Sequence, residues 1–172
     1  MDFTMRRRFP LLLAKARQID EAMKECLLVS GKKRVTKEQI DVIVRDKIPS
    51  AKLLGSGAAK VAYQVTFDKK RILVLKVIKN LTKMAFYIEP YLRAGKSQKE
   101  RNHYFLKHYW ATEACILQKF AGQVDVNCVD HVRQVRKIRK KFNGILTDLR
   151  TVNLGVDIDK VKIIDALYTS TE

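Results

Sequence analysis

The stretch Thr147-Asp-Leu-Arg-Thr-Val-Asn153, followed by Leu154-Gly-Val-Asp-Ile-Asp-Lys-Val-Lys-Ile-Ile-Asp165, decides how this chain is read. Leu154–Val156 and Val161–Ile164 are apolar runs flanking the Asp157-Ile-Asp-Lys160 turn, so they predict a small hairpin that ends beside Asp165. An aspartate, an asparagine five residues on and an aspartate closing a strand pair together suit a metal–nucleotide site. Asp148 would accept the proton of an attacking hydroxyl, while Asn153 and Asp165 would supply oxygen ligands to a Mg²⁺ that bridges phosphates.

Two earlier segments complete the pattern. Val61, Tyr63, Val65 and Phe67 alternate as strand residues do, and Ile72 to Ile78 is a β-branched run after the Asp68-Lys-Lys70 turn. With the short Lys52–Gly55 segment this predicts three antiparallel strands in a row. Gly55-Ser56-Gly57 falls between the first two. Taken alone it is a tight turn, but glycines there also let backbone amides approach phosphates without a Cβ in the way. Lys76 sits in the apolar run Leu73-Val-Leu-Lys76, where an ammonium needs a partner such as a carboxylate or nucleotide phosphates. The plainer alternative is an edge strand whose lysine faces water. From Ser97 to Phe120 a helical period places Leu106, Trp110, Glu113, Leu117 and Phe120 on one face.

In chain order these segments resemble the protein-kinase fold: a Gly-rich loop, a strand lysine, a helix glutamate, a D-L-x-x-x-N loop and a metal-binding aspartate. The resemblance covers about residues 51–167 and makes Glu113, in Glu113-Ala-Cys-Ile-Leu-Gln-Lys-Phe120, the glutamate that pairs with Lys76. It implies ATP and Mg as cofactors, with Gly55, Ser56, Gly57 and Lys76 on the nucleotide, Asn153 and Asp165 on the metal, and Asp148, Lys76 and Glu113 in catalysis. The chain departs from the family at several points. Lys60 stands where the loop's third glycine would be, Leu146-Thr147 replaces His-Arg before the catalytic aspartate, and Asp-Phe-Gly becomes Asp165-Ala-Leu167. No activation segment follows. The N-terminal helical module and the long basic insertion look similar to the atypical RIO group.

The expected fold class is therefore α+β: a kinase-like antiparallel N-lobe with a regulatory helix, a much reduced helical C-lobe and an N-terminal helical extension. The expected domains are 1–50 and 51–172. In the extension, Ile19, Met23, Cys26 and Leu27 recur at helical spacing within Leu11–Val29, and Thr36-Lys-Glu-Gln39 fits a capping box ahead of a helix that Pro49 ends. Near the other end, Asp130 is placed to cap a helix through Phe142 with Val132, Val135 and Ile138 inward. Asn143-Gly144 is its expected stop.

Over its 172 residues the chain carries 35 basic and 18 acidic residues, a net charge of +17 that favours polyanionic partners. Hydrophobic residues make up 47%, which excludes a wholly disordered chain. Residues 79–110 interleave lysines and arginines with Phe86, Tyr87, Tyr91, Tyr104, Phe105, Tyr109 and Trp110. That mixture suits single-stranded nucleic acid, and equally a segment whose rings face the core while its cations face solvent. Cys26, Cys115 and Cys128 lack metal-like spacing and read as free thiols. Met5-Arg-Arg-Arg8 and the apolar residues after it only faintly imitate a signal peptide, and no apolar run is long enough to span a bilayer, so a soluble, intracellular, cytoplasmic protein is expected. Two functions follow: an atypical ATP-dependent kinase transferring the γ-phosphoryl group, or a silent pseudokinase that binds nucleic acid, ribonucleoprotein or an acidic protein partner through its basic surface.

Overall fold

The computed structural model describes residues 9–67, 70–94 and 96–168, and the chain is α+β. Met5–Arg8 and most of the Asp68–Lys70 turn lie outside the described residues. Two compact units form. One comprises the described residues up to Met84 together with His108–Phe120, and the other Ala85–Lys107 with the described residues from Ala121.

The first unit opens with α1 (Pro10–Ser30), where Pro10 occupies a first-turn position that needs no amide donor. Leu12, Ala16, Ile19 and Met23 form its buried stripe. Gly31, at φ 65°, ends the helix in the left-handed conformation and donates to the Leu27 carbonyl at 2.9 Å. Helix α2 (Lys37–Lys47) has the predicted capping box: the Gln39 amide donates to Thr36 Oγ1 at 3.2 Å, and the Thr36 amide donates to Gln39 Oε1 at 3.0 Å. Five strands follow: β1 (Lys52–Ser56), β2 (Lys60–Phe67), β3 (Arg71–Ile78), β4 (His108–Ala111) and β5 (Cys115–Lys119). They form one antiparallel sheet in the order β1-β2-β3-β5-β4. Val61, Tyr63, Val65, Leu73, Leu75, Val77 and Leu117 join the stripes of α1 and α2 in one core. Residues 9–50 thus pack in the same unit as the sheet.

The long helix expected from Ser97 to Phe120 is not formed. A short α-helix covers only Gln98–Tyr104, and the rest is the β4–β5 hairpin. Residues Cys115 to Gln118 are all buried, so a continuous apolar run had no alternation to mark it as a strand, and its residues fell equally well on a helical period. The buried carboxylate of Asp20 on α1 ties down the hairpin turn. It accepts from Thr112 Oγ1 at 2.8 Å, the Ala114 amide at 2.9 Å and the Glu113 amide at 3.4 Å. Burial holds this carboxyl above its ordinary range, against the donors that pull it down.

The second unit contains α3 (Met84–Arg93) from its second residue, α4 (Gln98–Tyr104), β6 (Gly122–Gln123), α5 (Val129–Lys141), β7 (Leu146–Thr147), β8 (Leu154–Asp157), β9 (Lys160–Ile163) and β10 (Leu167–Tyr168). β8 and β9 are the predicted hairpin, extended by β6 to three strands, while β7 pairs with β10. Cys128, not Asp130, holds the N-cap position of α5, and Asp130 lies in its first turn, bonded to Arg133 at 3.1 Å. Gln134 fixes α5 to the hairpin, donating to the Asp159 carbonyl at 3.1 Å and accepting from the Val161 amide at 2.8 Å.

Gly155 on β8 is required by packing. A Cβ there would lie 2.7 Å from Ala121 Cβ, 3.1 Å from Ile164 Cγ2 and 3.2 Å from the Gly122 carbonyl oxygen. Among the described residues no helix is long and apolar enough to cross a membrane.

Candidate functional site

In the first unit the candidate residues sit on a hairpin and on a central strand. The β1–β2 register slips between Leu53 and Gly55, and Ser56 pairs with Val61. The tip is tied internally: the Gly57 amide donates to the Lys60 carbonyl at 2.9 Å, Lys79 Nζ donates to the Gly57 carbonyl at 2.7 Å, and the Arg34 guanidinium donates to the Ala58 carbonyl. Neither Gly55 nor Gly57 has positive φ, and a Cβ at either would meet nothing within 4 Å. The fold itself therefore has no packing use for glycine at these two positions, although glycine within a strand, as at Gly55, costs about 0.5–1 kcal/mol relative to alanine.

Lys76 lies in the middle of β3, opposite Ala62 on β2 and Ile116 on β5. Strand β3 is hydrogen-bonded on both sides and Lys76 is 8% exposed, which rules out the solvent-facing edge lysine. Strand alternation puts Lys76 on the sheet face opposite Leu75 and Val77, which pack with α1 and α2.

Glu113 corrects the expected site. It lies on no helix, but in the turn between β4 and β5. Its carboxylate is bound by Lys24 of α1 at 2.7 Å, with the glutamate side chain 62% exposed. The expected Lys76–Glu113 pair is not formed. The physical reason is the hairpin: its turn projects Glu113 past the end of the sheet toward α1. Sequence reasoning also missed α3, the helix that follows β3 in the chain and carries a single acid, Glu89. Glu89 makes an i,i+4 pair with Arg93 at 2.8 Å. Pro90 inside that stretch hid the helix, since proline usually reads as a break.

The remaining three candidates converge within the second unit. β7 ends at Thr147, immediately before Asp148, and its partner β10 starts at Leu167, two residues after Asp165, with Thr147 opposite Leu167. The Asn153 carbonyl accepts from the Ile164 amide at 2.9 Å and from the Asp165 amide at 3.2 Å. Asn153 Nδ2 in turn donates to the Asp148 carbonyl at 2.8 Å. These backbone ties bring Asp148, Asn153 and Asp165 together without relying on any charge. With its nitrogen engaged, Asn153 keeps Oδ1 as its side-chain acceptor.

Asp148 has φ 60°, a left-handed backbone that aspartate tolerates better than most residues but that still costs on the order of 1 kcal/mol. Backbone strain of this kind concentrates at functional positions. Arg150, unremarked in the sequence, donates through Nε to Asp148 Oδ1 at 2.6 Å. The two expected ligands, the Asn153 amide and the Asp165 carboxylate, offer oxygen donors of the kind that Mg²⁺ takes. Mg²⁺ also needs only one or two carboxylates, because waters and phosphates complete its shell. Among the described residues no group of three or more His, Cys, Asp or Glu side chains could hold a metal by itself.

The aromatic and basic stretch at 79–110 resolves mostly into packing. Tyr91, Phe105 and Trp110 are buried, Tyr104 stacks edge-on against Phe142, and Tyr109 against Phe9. All three cysteines are free, and burial pushes the Cys115 thiol well up from its ordinary range. No protein-family model matches the chain, and no curated protein matches it in sequence.

Proposed function

We propose that this chain is a minimal, kinase-like phosphotransferase that binds ATP with Mg²⁺ and moves the γ-phosphoryl group to a hydroxyl acceptor. The observation that carries the reading is the backbone clamp in the second unit. Asn153 is bonded through its carbonyl to the Ile164 and Asp165 amides and through its side chain to the Asp148 carbonyl, which holds the backbones of the proposed base and the two proposed ligand residues together. Asp148 would take the proton of the acceptor hydroxyl. Asn153 Oδ1 and Asp165 would hold Mg²⁺, whose charge would offset that of the phosphates.

Two features of the first unit support the same reading. Lys76 is buried on the third strand of a sheet whose first hairpin carries Gly55-Ser-Gly57, as the kinase resemblance implies. Gly55 and Gly57 have no packing reason to be glycine, so the approach of a phosphate to the backbone accounts for them better than the fold does. Glu113→Gln should leave nucleotide binding unchanged, because Lys24 of α1 binds that carboxylate.

Purified chain should gain thermal stability with Mg-ATP and release phosphate to an acceptor or to water. Asp165→Asn should abolish the stabilisation. Asp148→Asn should keep it and lower turnover by about 10²-fold or more, the usual loss of a general base. Stabilisation indifferent to Asp165 would sink the proposal. Stabilisation without any turnover would assign the chain to the silent branch, a nucleotide-binding module.

A further inference from the structure

We infer that the groove along α5 is a docking site for an acidic, amphipathic helix of a partner protein. The groove has a volume of about 570 Å³ and is lined by Val126, Val129, Val132, Arg136, Lys137 and Lys140, with Arg133 beside them. On α5 these residues fall at 129, 132, 133, 136, 137 and 140, the i, i+3, i+4, i+7, i+8, i+11 series of a single helical stripe. The opposite face is already used: Val135 and Ile138 are buried and Gln134 is bonded to the β8–β9 hairpin. The stripe is therefore the face of α5 that the unit leaves uncovered.

Its two ends differ in chemistry. Toward the N-terminus it is apolar, with Val126 64% and Val129 70% exposed. Toward the C-terminus it is cationic. Among the described residues Arg136, Lys137 and Lys140 make no ion pair, and Arg133 has only the exposed Asp130. The favourable interaction of cations with a helix C-terminus would explain Lys140, but that effect fades beyond the last turn and leaves Arg133 and Arg136 unexplained. No acid lines the groove.

An occupant must satisfy both ends. A helix that sets two apolar side chains on successive turns and then carboxylates on the next turns matches the stripe, because both helices repeat about every 5.4 Å. A single nucleic-acid strand satisfies only the cationic end. It gains its sequence-tolerant affinity by stacking bases on aromatic rings, and this groove has valines and no ring. Exposed apolar side chains grouped beside unpaired cations are costly to keep in water unless a partner covers them.

The test uses the whole chain and a labelled helical peptide of about four turns, with leucines on its first two turns and glutamates on the next two, read by fluorescence anisotropy. Saturable binding that weakens with salt is expected. Val126→Ser with Val129→Ser should weaken it about tenfold or more, and Arg136→Glu with Lys140→Glu should abolish it. Both pairs are exposed, so circular dichroism and the thermal midpoint should match wild type. A peptide with serine in place of leucine should bind far more weakly. Equal binding of that serine peptide, or indifference to the valine changes, overturns the proposal, because charge alone would then suffice. So does an oligouridylate that binds more tightly than the peptide and is indifferent to the valines, since the surface would then serve nucleic acid. No nucleotide enters any of these measurements, so their outcome is separate from that of the phosphotransfer reading.

Discussion

Replacing Gly155 by alanine should damage the second unit through one added methyl group. The new Cβ would lie 2.7 Å from Ala121 Cβ, more than an ångström inside the contact distance at which two carbons attract. The Gly122 carbonyl at 3.2 Å blocks escape on a second side, and Ile164 Cγ2 at 3.1 Å is the only contact that a rotamer change relieves. β6 and β8 must therefore separate, and their pairing at Gly122–Val156 and Gln123–Gly155 is what holds them. Overpacking of this kind costs about 1–3 kcal/mol. Alanine's lower chain entropy in the unfolded state returns about 0.4–1 kcal/mol, leaving a net loss centred on about 1 kcal/mol and at most about 2.6 kcal/mol. The assay is urea unfolding followed by far-ultraviolet circular dichroism. Two companions isolate the cause: Ala121→Gly combined with Gly155→Ala should recover part of the loss, and Gly57→Ala, whose Cβ meets nothing within 4 Å, should lose nothing and gain about 0.4–1 kcal/mol. A Gly155→Ala protein with the wild-type midpoint would refute the reasoning.

Gly57→Ala should also separate fold from ligand, keeping or raising the unfolding midpoint while weakening Mg-ATP stabilisation; a loss in both would remove the phosphate argument. Thr36→Ala removes the reciprocal cap of α2 and should cost about 1 kcal/mol, a shift that Thr36→Ser would largely restore. For Asp20, burial raises the carboxyl above its ordinary 3.8, so the folded chain takes up this proton at a higher pH than the unfolded chain. Its contribution is fully present below the unfolded value and is lost as pH rises through the folded one. The stability of wild type relative to Asp20→Asn should accordingly fall from acid toward neutral pH, and a difference that grows with pH would contradict the direction of the shift.

Elements whose evidence is local were legible in the chain. The capping box at Thr36, the alternation of β2 and the turn at Asp157–Lys160 each carry their signal within a few residues. Asp148, Asn153 and Asp165 belong to the same class, since a short loop and one hairpin suffice to bring them together. Glu113 failed because its assignment depended on the secondary structure of a wholly buried run, Cys115 to Gln118, where neither period leaves a polar mark. α3 was lost to Pro90, and the demand for glycine at Gly155 came from Ala121, Gly122 and Ile164, neighbours that only the folded sheet supplies.

The position of β5 has a consequence for how the chain leaves the ribosome. Strand β3 is central in the finished sheet, yet its second partner begins at Cys115, 37 residues after Ile78. At about 5–20 residues per second, the run Ile72-Leu-Val-Leu-Lys-Val-Ile78 waits about 2–7 seconds with one row of backbone donors and acceptors unpaired. An exposed apolar edge of this kind invites pairing with other chains, and a lysine placed on it is a common deterrent. On this reasoning the charge of Lys76 guards the half-built sheet. Chains truncated after residue 84 should aggregate faster when Lys76 is replaced by valine, and equal aggregation of the two would deny the lysine that earlier duty.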